Sequence, residues 1–409
     1  MTVQDPFFHP VFLGRRAVLD TPPFDPFPPS GRKPWNEPPS PRRDLEFHVR
    51  HYRVALTVDL EQKELRGTAA LEIESLRDGL RDVTLDAAEM RFERVRSGRR
   101  ALLHASEGKR LRVTLPKALR AGESASFEIS YSTRPRKGFF FVGPTEAEPR
   151  RAPGAWSQGQ ADDTHWWIPC LESTESRATL ELIVTTPAGY RAIANGKLVS
   201  KRRSARADTV TWHWRQDTAH PAYLTSLIVG KYSELKGRAG KVPLFGYVPP
   251  GLEQEGRDLF RKTADMIETF QRVYGVDYPY PKYAQTTVPD FTWGGMENTS
   301  ATTLFERALH AGSDSFEESY DSLVSHELAH QWWGDLVTCR DWSEGWLNEG
   351  FATYSEIVYR EADGGRDDAD YARLEQMCSY LTEDGEDYRR PLVETRWRYP
   401  SVLFDRHFY

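Results

Sequence analysis

From Phe47 onward the chain alternates between apolar and polar positions. Tyr52, Val54, Leu56, Val58 and Leu60 fall on one face of an extended segment, with polar or small residues between them. Leu65 to Ile73 repeats the pattern after the polar turn Glu61-Gln62-Lys63-Glu64. Val83-Thr84-Leu85, Leu111 to Leu115, Phe127 to Tyr131, Leu180 to Thr185, Ala192 to Leu198, Thr209 to Trp214 and Leu224 to Val229 continue the series. Short strands with regular turn breaks predict an antiparallel β domain over residues 45–236. The period then changes. Leu259, Phe260, Ala264, Ile267, Phe270 and Val273 mark an amphipathic helix running to Tyr274. A rigid turn, Tyr278-Pro279-Tyr280-Pro281, precedes a strand at Gln285 to Val288.

Phe316, Tyr320, Leu323, Val324 and Leu328 again recur at helical spacing, with Ser313, Asp314 and Ser315 as candidate caps. A further helix runs through Tyr354, Ile357 and Val358 to about Ala362 and stops at Gly364-Gly365, with Asp341 or Ser343 as its cap. Another spans Asp370 to Leu381. Residues 1–44 differ from all this. Pro22, Pro23, Pro26, Pro28, Pro29, Pro34, Pro38, Pro39 and Pro41 exclude helix or ladder through most of the segment. Phe24, Phe27 and Trp35 leave it either pinned to a surface or a free arm.

A chain of 409 residues is long enough for two or three domains. A net charge of −6 leaves no basic footprint for nucleic acid. No apolar run reaches the length of a membrane span, and the first residues lack the basic-then-apolar layout of a secretory signal. Cys170, Cys339 and Cys378 are odd in number and widely spaced, which argues against a disulfide framework and suits a reducing, cytoplasmic setting. Each is expected to be a small buried hydrophobe.

The chemistry concentrates at His326-Glu327-Leu328-Ala329-His330. On a helix, two histidines four apart share a face one turn apart, where both can bind one zinc ion and Glu327 can reach a water on the metal. The bland alternative is a pair of ordinary helix histidines. A third ligand decides between them. Glu349 lies nineteen positions after His330 in Trp346-Leu347-Asn348-Glu349-Gly350-Phe351-Ala352, room enough for a turn and a second helix running back past the first. Two histidines and one glutamate leave a fourth position open, as a catalytic zinc requires. Upstream stands Trp293-Gly294-Gly295-Met296-Glu297-Asn298. Its glycines permit close backbone approach by a substrate; a plain hairpin turn is the other explanation of Gly294-Gly295.

These two motifs, in this order and spacing, resemble the M1 family of zinc aminopeptidases, a group of gluzincins. The resemblance implies an α+β multidomain fold: an N-terminal antiparallel β saddle, then a thermolysin-like, mainly α catalytic domain over 237–409. It implies more chain as well, so the sequence is expected to be the front part of a longer enzyme. It implies one Zn²⁺ per chain on His326, His330 and Glu349, with Glu327 as general base. Gly294, Gly295, Met296 and Glu297 match the exopeptidase motif, Glu297 binding the free amine of a peptide substrate. The stretch Ser157-Gln158-Gly159-Gln160 is similar to a family loop that puts Gln160 at the same amine. Many relatives carry Glu there; an amide brings no charge and shifts charge recognition onto Glu297. Trp293 is expected either in the first side-chain pocket or in the core. The family's oxyanion tyrosine matches Tyr409, 83 positions after His326, with Tyr399 the weaker choice. A leukotriene A4 hydrolase-like epoxide hydrolase, a gluzincin endopeptidase and a non-catalytic M1-like scaffold are the competing functions. No nucleic acid or membrane partner is expected.

Overall fold

The computed structural model describes residues 39–40, 43–310 and 319–409. Most of the Pro-rich segment and the candidate caps Ser313, Asp314 and Ser315, with Phe316, lie outside the described residues. Where the segment enters the description, the Ser40 N–H donates to the Thr395 carbonyl at 2.7 Å.

The alternating half forms three sheets. The largest has eight strands, in the order Lys197–Ser204, Thr209–Pro221, Arg177–Pro187, Phe47–Asp59, Glu64–Ser75, Ser124–Thr133, Met90–Ser97 and Arg100–Ala101. Its ladders are antiparallel except between Phe47–Asp59 and Arg177–Pro187, which pair in parallel. Alternation alone does not distinguish the two pairings. In Phe47–Asp59 the buried positions are Phe47 and Val49, then Tyr52, Val54, Leu56 and Val58. The change from odd to even occurs at an irregularity between Val49 and His51, where an extra residue flips the side chains that follow. A three-stranded sheet, Leu80–Asp86, Arg110–Leu119 and Leu103–Glu107, contributes Leu80, Val83, Leu85, Leu111 and Val113 to the same core as the eight-stranded sheet.

The four-stranded sheet, Arg191–Ala194, Leu227–Gly230, Gly154–Ser157 and Phe139–Val142, lies between two cores, with Phe139, Ala155, Ala192, Leu227 and Val229 in the first. Trp156, Ile193 and Ile228 belong to the core of the C-terminal half. The sequence pattern had joined Ala192 to Leu198 as one strand. The structure breaks it at Asn195-Gly196, where Gly196 takes φ 73° and a Cβ would lie 2.0 Å from the Arg215 carbonyl oxygen.

The C-terminal half is built on a five-stranded sheet, Ser233–Ala239, Val242–Val248, Tyr283–Val288, Ala301–Phe305 and Gly295–Met296. Val242–Val248, Tyr283–Val288 and Ala301–Phe305 are parallel, so the first connection must cross over the sheet. Two helices make that crossing, α1 (Glu253–Leu259) and α2 (Thr263–Tyr274). The periodic run from Leu259 is therefore two helices, interrupted at Phe260 to Lys262. After them come α3 (Asp321–Ala329), α4 (Trp346–Gly364) and α5 (Arg366–Thr382). Asp341 caps a short turn, Trp342–Glu344, that leads into α4; its carboxylate accepts the Ser343 N–H at 3.0 Å. Gly364-Gly365 ends α4 as the sequence predicts. No described helix is long and apolar enough to cross a membrane. Cys170 and Cys339 are buried thiols, whereas Cys378 is exposed on α5, contrary to expectation.

Where the paired strands Phe47–Asp59 and Glu64–Ser75 meet at Gly67, a Cβ would lie 1.8 Å from the Ala55 carbonyl oxygen. A backbone atom cannot step aside as a side chain can. Gly67→Ala is expected to cost about 2 kcal/mol or more in a denaturant titration.

Candidate active site

The site is assembled beside the antiparallel edge strand of the five-stranded sheet, Gly295–Met296. Tyr283–Val288 is buried on both faces and delivers a loop in which Asp290 and Gly294 take left-handed φ of 58° and 76°. Gly295–Met296 then pairs antiparallel with Ala301–Phe305, so the hairpin's turn falls at residues 297–300 and not at the glycine pair, of which Gly295 lies in the strand. Gly295 has a second duty. A Cβ there would sit 2.1 Å from Glu327 Oε1, so its missing side chain makes room for that carboxylate. Trp293 packs with Phe291, Trp156 and Phe140 at centroid distances of 5.4, 6.3 and 6.0 Å, an aromatic cluster that joins the loop to the four-stranded sheet.

Helix α3 carries His326 and Glu327 and ends into His330; α4 carries Glu349 in its first turn. Three ligand atoms converge. His326 Nε2 and His330 Nε2 are 3.0 Å apart, and Glu349 Oε2 is 3.4 Å from the first and 3.2 Å from the second. Ligands about 2.0–2.1 Å from one tetrahedral ion stand at close to this spacing. The other ring nitrogens are held too. His326 Nδ1 is 2.7 Å from Glu356 Oε1, and His330 Nδ1 donates to the Trp333 carbonyl at 2.8 Å. Such outer partners would fix which nitrogen faces a bound metal. Glu356 belongs to neither motif, although it stands seven residues after Glu349, two turns along the same face of α4.

Burial and charge act together. Burial lowers the His330 pKa, but Glu349 and Glu297 outweigh it and hold the imidazole up at about 9. Burial likewise opposes the His326 imidazolium; Glu349 and Glu356 prevail and hold it well above its ordinary value. Burial raises Glu349, yet His330 and His326 bring it down to about 2. Glu327 feels the same two histidines but makes no hydrogen bond to either, and burial prevails. Burial pushes its carboxyl up to about 8, and its Oε2 has no hydrogen-bond partner. Two imidazoles and one carboxylate, with an acid beside them whose free oxygen lacks a partner, fit a catalytic zinc.

Glu297 is buried, and burial raises its pKa. Gln160 reaches it from the β half: its Nε2 donates to Glu297 Oε1 at 3.1 Å and to Glu349 Oε1 at 3.3 Å. Met296 is buried beneath the hairpin. Tyr409 stacks on the His326 ring at 6.0 Å. Although Tyr409 is 37% exposed overall, desolvation of its phenol, then Glu349, Glu297 and Glu327, raise its pKa well above the usual range. Phe408 anchors it. That ring is buried against Gly345, where a Cβ would come within 2.5 Å, and its carbonyl lies close to Gly350. The Arg390 guanidinium covers Phe408 at 4.7 Å and donates to Asp405. Glu383, Asp405 and His407 form a second close trio, but Arg390 already neutralises Asp405. Tyr399 is 56% exposed beneath Arg398 and reaches none of these groups.

Comparison with known proteins agrees with this geometry. The description "Peptidase M1 N-terminal domain" matches residues 48–224, and "Peptidase family M1 domain" matches residues 259–409. The chain belongs to peptidase family M1. An M1 relative, the leucyl aminopeptidase of Saccharolobus solfataricus, is 27% identical over 363 residues, covering 87% of this chain and 44% of that protein. The leukotriene A-4 hydrolase of Xenopus laevis is 28% identical over 331 residues, covering 78% and 52%. The matched parts thus span about a quarter to a half of the curated M1 relatives. Among solved structures, a mutant M1 zinc metallopeptidase from Deinococcus radiodurans bound to a Tyr-Ser-Ala substrate superposes with a TM-score of 0.73 at 26% identity, covering 89% of this chain and 80% of that one. The two-part fold is that of the M1 family, a β-sheet half followed by a mainly helical one.

Two outcomes are expected from the outer partners and the charges. Glu356→Ala should weaken zinc binding by about 10–100-fold in competition with a chelator, because His326 loses its orienting contact. Zinc binding to metal-free protein at pH 7 should release about one proton per ion, because the two Nε2 atoms, 3.0 Å apart, share one between them. That proton must leave before the metal binds, so zinc affinity should rise with pH up to about 9, where the balance of burial and the carboxylates holds His330. Calorimetry in buffers of different ionisation enthalpy measures the release.

Proposed function

We propose that this chain carries the zinc centre of a metallo-aminopeptidase that hydrolyses the first peptide bond of peptides with a free N-terminus. The observation that carries the reading is the pairing of two features within one buried site. One is the trio His326, His330 and Glu349 with Glu327 beside it. The other is a second carboxylate, Glu297, presented with the Gln160 amide. His326, His330 and Glu349 would hold one Zn²⁺ per chain, which would supply a Lewis acid for water and the scissile carbonyl. Glu327 takes a proton from the attacking water and passes it to the leaving amine. The Tyr409 phenol, held protonated, donates a hydrogen bond to the developing oxyanion. Glu297 binds the α-ammonium, with Gln160 orienting its carboxylate. That anchor sets the cleavage register: one residue lies between the ammonium and the scissile bond. A reducing, cytoplasmic setting suits the three free cysteines.

The test is a panel of aminoacyl-arylamides with and without chelator, free and N-acetylated. Glu327→Ala should retain zinc and lose about 10²–10⁴-fold in kcat. Glu297→Ala should raise KM for free substrates and bring them towards the N-acetylated ones. Unchanged preference for free amines in Glu297→Ala refutes the anchor.

A further inference from the structure

Gln331 ties the two parts of this site together without meeting a reacting atom. It follows His330 in sequence and is fully buried. Its amide lies across the turn at residues 297–300. Nε2 donates to the Glu297 carbonyl at 2.9 Å, and Oε1 accepts from the Ser300 N–H at 2.7 Å and from the Tyr278 hydroxyl at 3.3 Å. Both ends of one amide thus close on main-chain atoms of the turn that carries Glu297.

That turn is held from outside rather than by its own conformation. Ser300 sits at φ 63°, in the left-handed region that disfavours a Cβ. Lys282 Nζ donates to the Ser300 carbonyl at 2.8 Å, and the Gly196 N–H donates to the Ser300 hydroxyl at 2.7 Å. Asn195 Nδ2 donates to the Thr299 carbonyl at 2.8 Å. Of these contacts, the ones made by Gln331 run back to the helix that bears the histidines.

We propose that Gln331 is a positioning residue that fixes the separation between the metal trio and the amine anchor Glu297, and so confines cleavage to the first peptide bond. The proposal rests on the aminopeptidase reading. Successive residues of an extended peptide are about 3.3 Å apart, so the anchor must be held to much less than that to keep one register. A buried amide that bonds at both ends gives such stiffness, because releasing either end leaves a buried polar group unpaired.

The experiment compares zinc-loaded wild type with Gln331→Met, which has similar length but no amide, and Gln331→Glu, which when neutral offers one donor and one acceptor. Calorimetry reads the binding of leucinamide and of N-acetyl-leucinamide; kinetics read leucyl- and N-acetylleucyl-arylamide hydrolysis. Gln331→Met should keep its zinc and lose about tenfold in leucinamide affinity, the scale of one lost hydrogen bond, with KM rising more than kcat falls. Gln331→Glu should stay within about threefold of wild type. A folded, zinc-loaded Gln331→Met that binds leucinamide as wild type does overturns the proposal. If that variant does not fold, Gln331→Asn, one methylene too short to span both contacts, carries the same expectation and the same refutation. Absence of arylamide turnover in wild type sinks the peptidase reading, while the leucinamide comparison still decides the clamp. Absence of leucinamide binding in wild type overturns both.

Discussion

The buried charge at the meeting of α3 and α4 is the constraint on which the rest of the structure depends. Three carboxylates, Glu297, Glu327 and Glu349, lie out of water beside two imidazoles. Bringing ionised groups into such a place costs several kcal/mol each unless they are compensated. The sequence compensates unevenly. Glu349 is drawn down to about 2 by two histidines, while Glu327, with one free oxygen, is pushed up to about 8. Neighbouring carboxyls with opposite shifts can take different tasks: one remains ionised and can bind a cation, the other can exchange a proton near neutrality. Burial alone would raise both. The histidines' contacts with Glu349 separate them.

Holding such groups in place needs a support stiffer than either helix. Much of it comes from the β half. Gln160 projects from the loop after Gly154–Ser157, and Asn195-Gly196 from the corner between two strands; each reaches the hairpin or its turn. Arg177, on a central strand of the large sheet, donates to the Asp335 carbonyl and the Thr338 hydroxyl in the connection after α3. Arg340 in that connection pairs with Glu175 at 2.7 Å. The loops around the trio are therefore fixed from both sides. Their backbone departs from ordinary conformations at Asp290, Gly294 and Ser300, which is affordable where outside bonds over-determine it.

The sequence disclosed the site more readily than the fold. His326, His330 and Glu349 were legible because helical spacing and the open-ligand rule each leave few choices, and their atoms do converge. Glu356 and Gln331 were not. Each acts through a neighbour, and a lone Glu or Gln on a helix looks like surface until its partner is known. The sheets were legible as strands from their alternation. The parallel pair Phe47–Asp59 with Arg177–Pro187 was invisible, because alternation specifies faces and not neighbours. The break at Asn195-Gly196 was hidden within a run of apolar residues. Its reason lies 104 residues away, at Thr299 and Ser300. Short apolar runs fix local structure; corners are fixed by what they touch.

Gln160 brings these points together. Its one amide nitrogen stands between Glu297 and Glu349, within 3.3 Å of both. A glutamate in its place would set a further carboxylate against two others, and like charges so close cannot all ionise. The amide instead gives each carboxylate an N–H. Under the proposed function, the ammonium of a peptide must bind the same Glu297 oxygens, so it competes with that N–H or shares the carboxylate with it. Both are donors of similar reach; the ammonium adds a full positive charge. Selection for a free N-terminus then rests on charge at Glu297 and not on a count of hydrogen bonds. An N-acetylated substrate can offer an N–H as Gln160 does, but it has no charge with which to displace the amide.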